Sequence, residues 1–234
     1  MENKRILKIY KERELMEKDK NSFFGYQDIA HFFRVQNRYR STLTLLNSKG
    51  CSSLTDSRIL DIGCGNGNML RQFLQWGAKP ENLSGIELRP EAVDFALTSN
   101  PNFNIHCGSA TDLPWLDNSF DLVCQHTVFT SIFDQRIKQK IASEMLRVLK
   151  VDGKILWYDF WFNPINPQTK GVPPREVKQL FPDCAFKFKK ITLAPPLARK
   201  LVPVSWGLSF FLEELNIFNT HYLVLISRKN DSNL

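Results

Sequence analysis

The sequence predicts an α/β fold: one doubly wound, mostly parallel sheet with helices on both faces. Three observations carry this. From about residue 54, short apolar runs alternate with segments of helical periodicity. Glycines cluster where the first of these runs turns into a helix, in "RILDIGCGNGNML". The 234 residues can bury one large core, and no internal repeat or low-complexity tract divides them.

The elements follow in order. Residues 1–50 read as an amphipathic helical cap, in which "DIAHFFRVQNRYRSTLTLLNSKG" closes at Gly50 as helices close. "RILDIG" is a strand, and "NGNMLRQFLQWG" is a helix that stops at Gly77. "LSGIEL" is a strand, "RPEAVDFALTS" a helix, and "FNIHCGSA" a strand followed by the turn-rich "TDLPWLDNS". "FDLVCQHTVF" is a strand. "DQRIKQKIASEMLRVLK" is a helix with an apolar stripe through Ile137, Ile141, Met145 and Leu149, and "VDG" turns the chain into the strand "KILWYDF". Beyond Phe160 the alternation gives way to the loop "NPINPQTKGVPP" and a short helix, "REVKQLF". A strand ("AFKFKKITL"), a proline-broken apolar segment and a last strand ("THYLVLISRK") complete the chain. A single domain results: residues 1–50 the cap, 54–160 the ligand-binding core, and 161–234 the acceptor-side loop, lid and final strands.

Composition excludes several classes. The chain is 43% hydrophobic and 24% charged, the balance of a water-soluble protein. No segment reaches the ~18 apolar residues of a transmembrane helix; the longest, "LVPVSWGLSFFL", contains Pro203. The charged start "MENKRILKIYKERELMEKDK" is unlike a signal peptide, so a cytoplasmic location is expected. The five cysteines form no Cys-x-x-Cys pair and the four histidines are scattered, so neither a disulfide framework nor a metal site is expected. Net charge is +7, with eight Lys or Arg between Lys170 and Lys200 against Glu176 and Asp183. The alternation in "CAFKFKK" fits a strand with one wet side better than a nucleic-acid surface.

The glycine loop decides the ligand class. A dinucleotide loop needs glycine at position 68, where Asn68 stands, and a P-loop needs Gly-Lys-Ser/Thr, which is absent. Asp61 just ahead of the loop repels a pyrophosphate but suits a cation. Glu87, at the end of the next strand and twenty residues after Gly67, can accept both hydroxyls of a ribose. S-adenosylmethionine, a sulfonium with an α-amino group and a ribose, satisfies both.

With Asp61, the glycines and Glu87 each at a strand end, the chain resembles the class I S-adenosylmethionine-dependent methyltransferases, specifically over about residues 54–160 and more loosely beyond. The resemblance implies a Rossmann-like, seven-stranded sheet whose last strand is antiparallel. It assigns Asp61, Gly63, Cys64, Gly65 and Gly67 to the methionine part of the cofactor and Glu87 with Leu88 to the ribose. Ser109, Ala110 and Thr111 fall to the adenine, with Ser109 standing where the family usually has Asp. Gln125 to Phe129 would flank the transferable methyl. His126 and Asp159 are the candidate bases, with a wall residue and a turn cap as the respective alternatives. The features "WYDF", "TLAPPLAR" and "THYL" are similar to those of stand-alone bacterial methyltransferases of glycan and other secondary biosynthesis, which implies methylation of a small-molecule or glycan acceptor, at oxygen. Neither the Asn/Asp-Pro-Pro-aromatic motif nor the Pro-Cys nucleophile of DNA methyltransferases occurs, so DNA is not the expected substrate. RNA or protein methylation, or a non-catalytic S-adenosylmethionine-binding module, are the alternatives.

Overall fold

Strands buried on both faces must alternate with helices that cover them, and this rule sets the architecture. The structure, a computed structural model, describes residues 2–18, 28–48, 53–163 and 166–229, with the backbone alone for 13–18. Two helices, α1 (Glu2–Lys18) and α2 (Ile29–Asn47), precede the sheet; Gly50, the expected helix end, lies outside the described residues. There follow β1 (Ile59–Ile62), α3 (Asn68–Gln75), β2 (Leu83–Glu87), α4 (Pro90–Ser99), β3 (Asn104–Cys107), β4 (Phe120–His126), α5 (Gln135–Val148) and β5 (Leu149–Phe160). The chain ends with α6 (Pro174–Leu180), β6 (Cys184–Leu193), α7 (Pro195–Leu201), α8 (Trp206–Glu214) and β7 (Asn219–Arg228).

The strands form one seven-stranded sheet in the order β3-β2-β1-β4-β5-β7-β6. β1 pairs in parallel with β2 and β4, β2 with β3, and β4 with β5. β7 runs antiparallel to both β5 and β6, so the last strand is reversed as expected. Alternation along each strand divides the core. Leu60, Ile62, Val123 and Trp157 face α1, α5 and α6 on one side. Ile59, Leu122, Cys124, Leu156 and Tyr158 face α3, α4 and α2 on the other. Each such fully buried aliphatic contributes about 1.5–3 kcal/mol.

Local chemistry sets the helix ends. Asp134 caps α5 by accepting from Arg136 N at 2.9 Å, and Asp28 caps α2 by accepting from His31 N at 2.9 Å. Pro90 and Pro174 open α4 and α6, where a missing N–H costs nothing. The proline-broken apolar segment resolves into α7 and α8, the second capped by Ser205 Oγ accepting from Leu208 N. "VDG" is not a free turn. β5 already begins at Leu149, and its register against β4 shifts between Phe120 and Leu122, so residues 150–153 bulge from the ladder. The N–H groups of Asn118 and Ser119 hold the carbonyls of Arg147 and Val148 at 3.0 and 2.8 Å, which draws the helix end into the sheet.

Three residues of the basic segment, Lys187, Lys189 and Lys190, fall on β6, an edge strand. Phe186 and Phe188 stack at 5.8 Å and pack on the core, as the alternation predicts. The lysines of the other side do not simply face water: Lys187 Nζ donates to Ser48 Oγ at 2.9 Å and Lys189 Nζ to Ser41 Oγ at 3.3 Å, both on the α2 side. Charged side chains here also discourage pairing with another sheet. On the opposite face Lys138, 2% exposed, pairs with Glu176 at 2.6 Å and joins α5 to α6. Glu176→Ala strands this ammonium and should lower unfolding stability by about 3–5 kcal/mol in urea titrations, while adding Lys138→Met should recover most of the loss.

Candidate functional site

The strand order reverses between β1 and β4, so the loops that follow these two strands leave in opposite directions and open a crevice at their carboxyl ends. Gly63, Gly65 and Gly67 have φ of +66°, +52° and +77°, the left-handed region that favours glycine. At Gly63 a side chain would also meet Val128 Cγ2 at 2.5 Å. The N–H groups of Gly63 and Cys64 both donate to Ile86 O, at 2.8 and 3.1 Å, which ties the loop to β2. Cys64 then turns its side chain down against Gly85 and Leu70. Burial pushes its thiol pKa well up, so only its backbone is offered to a ligand.

Glu87 stands at the end of β2. Its Oε2 accepts from Gly65 N at 2.9 Å, and its Oε1 from Arg89 N and Arg89 Nε at 3.1 and 3.2 Å. The Arg89 guanidinium lies 4.5 Å above the Tyr10 ring of α1. Between the loops and α1 lies a cavity of about 640 Å³, its open mouth included. Of the sequence-predicted residues, Gly63, Glu87, Leu88, Ser109, Ala110 and His126 line it. Thr111 stands behind, holding Ser109 Oγ through its own hydroxyl at 2.9 Å. Gln125, fully buried, accepts from Val128 N at 3.0 Å and donates to Tyr158 O at 3.3 Å. It thereby shapes the turn in which Thr127 takes φ +60°.

Asp61 faces its neighbours in the sheet rather than the cavity. Its Oδ1 lies 3.6 Å from His126 Nδ1 and 3.6 Å from Cys124 Sγ. Burial lowers the pKa of His126, partly opposed by Asp61, and keeps the imidazole neutral. Both ring nitrogens are buried without a hydrogen-bond partner, which marks this wall as incomplete. Asp61, Cys124 and His126 bring potential ligand atoms within 4.8 Å of one another. Burial, with the neighbouring Asp61 carboxylate, raises the Cys124 thiol well above its ordinary range.

Asp159 goes elsewhere. Strand alternation turns it to the α5 face, 1% exposed, where its carboxyl accepts from Thr130 N at 3.3 Å and from Phe160 N at 3.2 Å. It does not line the cavity and is separated from His126 by the sheet. Its carboxyl is engaged by these two backbone donors.

The resemblance implies that the N-terminal cap closes over the cofactor, but the sequence reading named no residue of α1 as a wall. Asn3, Ile6 and Tyr10 line the cavity, and Asn3 Nδ2 reaches Ser109 Oγ at 3.4 Å. Their spacing of three and four, on one helical face, was the available signal. The helix is pinned to the 3₁₀ turn Phe129–Ser131 and the residues after it. Glu2 Oε1 accepts from Phe133 N at 2.7 Å, while Arg5 donates to Ser131 O at 2.5 Å and lies 4.0 Å over the Phe133 ring. The bond from Arg5 lowers the Glu2 pKa. Ile137 and Ile141, read as core stripe, also reach the cavity from α5.

Comparison with known proteins agrees with this geometry. Residues 60–157 match the family model described as a methyltransferase domain. Norajmaline N-methyltransferase of Rauvolfia serpentina is 30% identical over 135 residues, which cover 54% of this chain and 44% of that protein. The ubiquinone/menaquinone biosynthesis C-methyltransferase of Citrifermentans bemidjiense is 28% identical over 153 residues, 56% of this chain and 63% of that one. The matched part thus spans less than two thirds of these relatives. Among solved structures, an S-adenosylmethionine-dependent methyltransferase of Thermotoga maritima superposes with a TM-score of 0.63 at 16% identity, covering 93% of this chain and 98% of that one. Geranyl diphosphate C-methyltransferase of Streptomyces coelicolor, in complex with S-adenosyl-L-homocysteine, gives 0.59 at 16% identity, covering 81% and 77%. Residues 60–157 therefore match a methyltransferase domain, and the sheet around them has the fold of solved S-adenosylmethionine-dependent methyltransferases.

Burial pushes the Asp159 pKa up to about 7. The folded protein therefore retains a proton that the unfolded chain loses near pH 4, and stability should fall as pH rises from about 4 to 7 and level off above. The full effect is roughly 4 kcal/mol. Asp159→Asn should flatten this slope in denaturant titrations at pH 5 and pH 8; an unchanged slope assigns it to other groups.

Proposed function

We propose that the protein transfers the methyl group of S-adenosylmethionine to an oxygen of a small-molecule or glycan acceptor. The observation that carries this is the cavity walled by Gly63, Glu87, Ser109 and α1, with the unpartnered imidazole of His126 in its edge. Glu87 would take the ribose hydroxyls in exchange for one or more of its present donors, Ser109 and Ala110 would bracket the adenine, and the Gly63–Gly67 loop would receive the methionine part. When bound, the cofactor supplies a methyl carbon already activated by its sulfonium, open to in-line displacement. The protein's work is then alignment, exclusion of water and handling of one proton.

His126 is the residue for that proton. Its neutral imidazole takes the proton of an acceptor hydroxyl, and the imidazolium formed is stabilised by Asp61 at 3.6 Å. Asp61 therefore serves the base, a different role from holding the amino group of the cofactor. Relatives named as N- and C-methyltransferases favour a small acceptor while leaving its reacting atom open. Support for RNA as the alternative is weakened where Lys187, Lys189 and Lys190, three of the eight basic residues, are engaged with Ser48, Ser41 and the Trp161 ring.

The direct test is transfer of labelled methyl from S-adenosylmethionine into a cell extract split into small-molecule, lipid-extractable, nucleic-acid and protein fractions. Label in either of the first two is expected; nuclease- or protease-sensitive label overturns the acceptor class. Cofactor binding without label in any fraction would favour the non-catalytic alternative. Glu87→Ala should weaken S-adenosylhomocysteine binding by about tenfold or more, since hydrogen bonds to a carboxylate contribute about 1.5–3 kcal/mol each. His126→Ala should lower turnover by about 10²–10⁴ while changing S-adenosylhomocysteine affinity far less. Unchanged turnover would remove His126 from the chemistry.

A further inference from the structure

Beside His126, on the α2 side of the sheet, lies a second group of side chains that the cofactor reading does not use. The Tyr158 ring lies 6.0 Å from the His126 ring and stacks on His221 at 4.9 Å with an interplanar angle of 12°. The Tyr158 hydroxyl is engaged with Thr192 Oγ1 at 2.9 Å, so the pair of rings forms a fixed shelf. His221, on β7, is thus part of the surroundings of the candidate base.

Over this shelf stand Arg34 and Arg38. They are one turn apart on α2 and leave the helix on the same face. The Arg38 guanidinium lies 5.1 Å from the Tyr158 ring centroid. Its charge and that of Arg34 are both felt at Tyr158 and His221, and that of Arg38 at His126 as well. Arg199 adds a third positive charge near Arg34.

Arg34 and Arg38 are half-buried, and the acid whose charge is felt at Arg34 is Asp28. Arg38 Nε is buried with no hydrogen-bond partner. Arg34 Nε reaches only the carbonyl of Ala30 in its own helix, at 3.2 Å. Among the described residues no ion pair includes Arg34 or Arg38. The acids around them are committed or remote. Glu213 accepts from Asn37 Nδ2 and Thr192 N, Asp28 caps α2, and Asp61 faces His126. Two like charges at this spacing repel, and a buried guanidinium nitrogen without a partner is costly. A planar anion that accepts from both would relieve each cost, and the guanidinium fork is shaped for carboxylate or phosphate oxygens.

We propose that Arg34 and Arg38 form an anion subsite, and that the methyl acceptor is a small molecule carrying a carboxylate or phosphate. The anionic group sits against α2, and the body of the acceptor crosses the Tyr158–His221 shelf toward His126. This rests on the methyltransferase reading and narrows its acceptor: a neutral sugar leaves the subsite unfilled.

The test is an NMR titration of the full chain, saturated with S-adenosylhomocysteine, observing the arginine Nε–H resonances. The probes are benzoate, phenyl phosphate and, as the neutral control, benzyl alcohol. Benzoate or phenyl phosphate should shift the Arg38 Nε–H signal saturably. Arg38→Gln should weaken that binding at least tenfold, with S-adenosylhomocysteine affinity within twofold of the unaltered protein. Arg34→Gln is the second variant, should Arg38→Gln fail to fold, and should weaken binding in the same sense. Saturation by one anion alone identifies the acceptor's group as carboxylate or phosphate. The anion subsite is overturned by no saturable shift, by an equal shift with benzyl alcohol, or by undiminished binding in both variants. If the unaltered protein does not bind S-adenosylhomocysteine at all, the cofactor reading fails first, and the two failures are told apart.

Discussion

The reversal of strand order beside β1 is the constraint on which the rest of this molecule depends. Because β2 lies on one side of β1 and β4 on the other, the chain must leave the sheet in two directions, and the space between cannot be filled by either connection. The glycine loop, the acid at the end of β2 and the imidazole at the end of β4 are all brought to that gap by parallel pairing. Moving any one of these strands by a residue would turn its functional side chain to the other face.

The gap is closed by parts of different character. On the α5 side its walls are mostly apolar, and α1 lies across them through Ile6 and Tyr10. On the α2 side the surroundings are aromatic and cationic, with Tyr158 and His221 beneath two arginines. His126 stands where the two sides meet. The apolar side and the cationic side therefore meet at one imidazole.

Legibility in the sequence followed the range of each constraint. The requirement for positive φ at Gly63, Gly65 and Gly67 is local, so the loop could be read residue by residue, as could Glu87 from its place at a strand end. The face to which a residue points was harder. β5 is buried on both sides at its carboxyl end, so Trp157, Tyr158, Asp159 and Phe160 display no wet face from which to infer orientation. Asp159 and His126 accordingly looked like equal candidates, although pairing sends them to opposite sides. Nor could the residues that α1 presents to the cavity be foreseen, since the partner surface of an amphipathic helix is set by tertiary packing. The arginines of α2 were hidden for the same reason: their isolation is a property of what surrounds them, not of their spacing.

The attachment of α1 has a kinetic consequence. A molecule held beneath Asn3, Ile6 and Tyr10 is covered by a helix fastened through Glu2 and Arg5 to the segment Ser131–Phe133, and that segment is steadied by Asp159 through Thr130. The fastening consists of hydrogen bonds from two charged side chains of α1 to backbone groups and one guanidinium–ring contact. Residence time in this cavity thus depends on how often these few bonds open together, independent of how well the molecule fits.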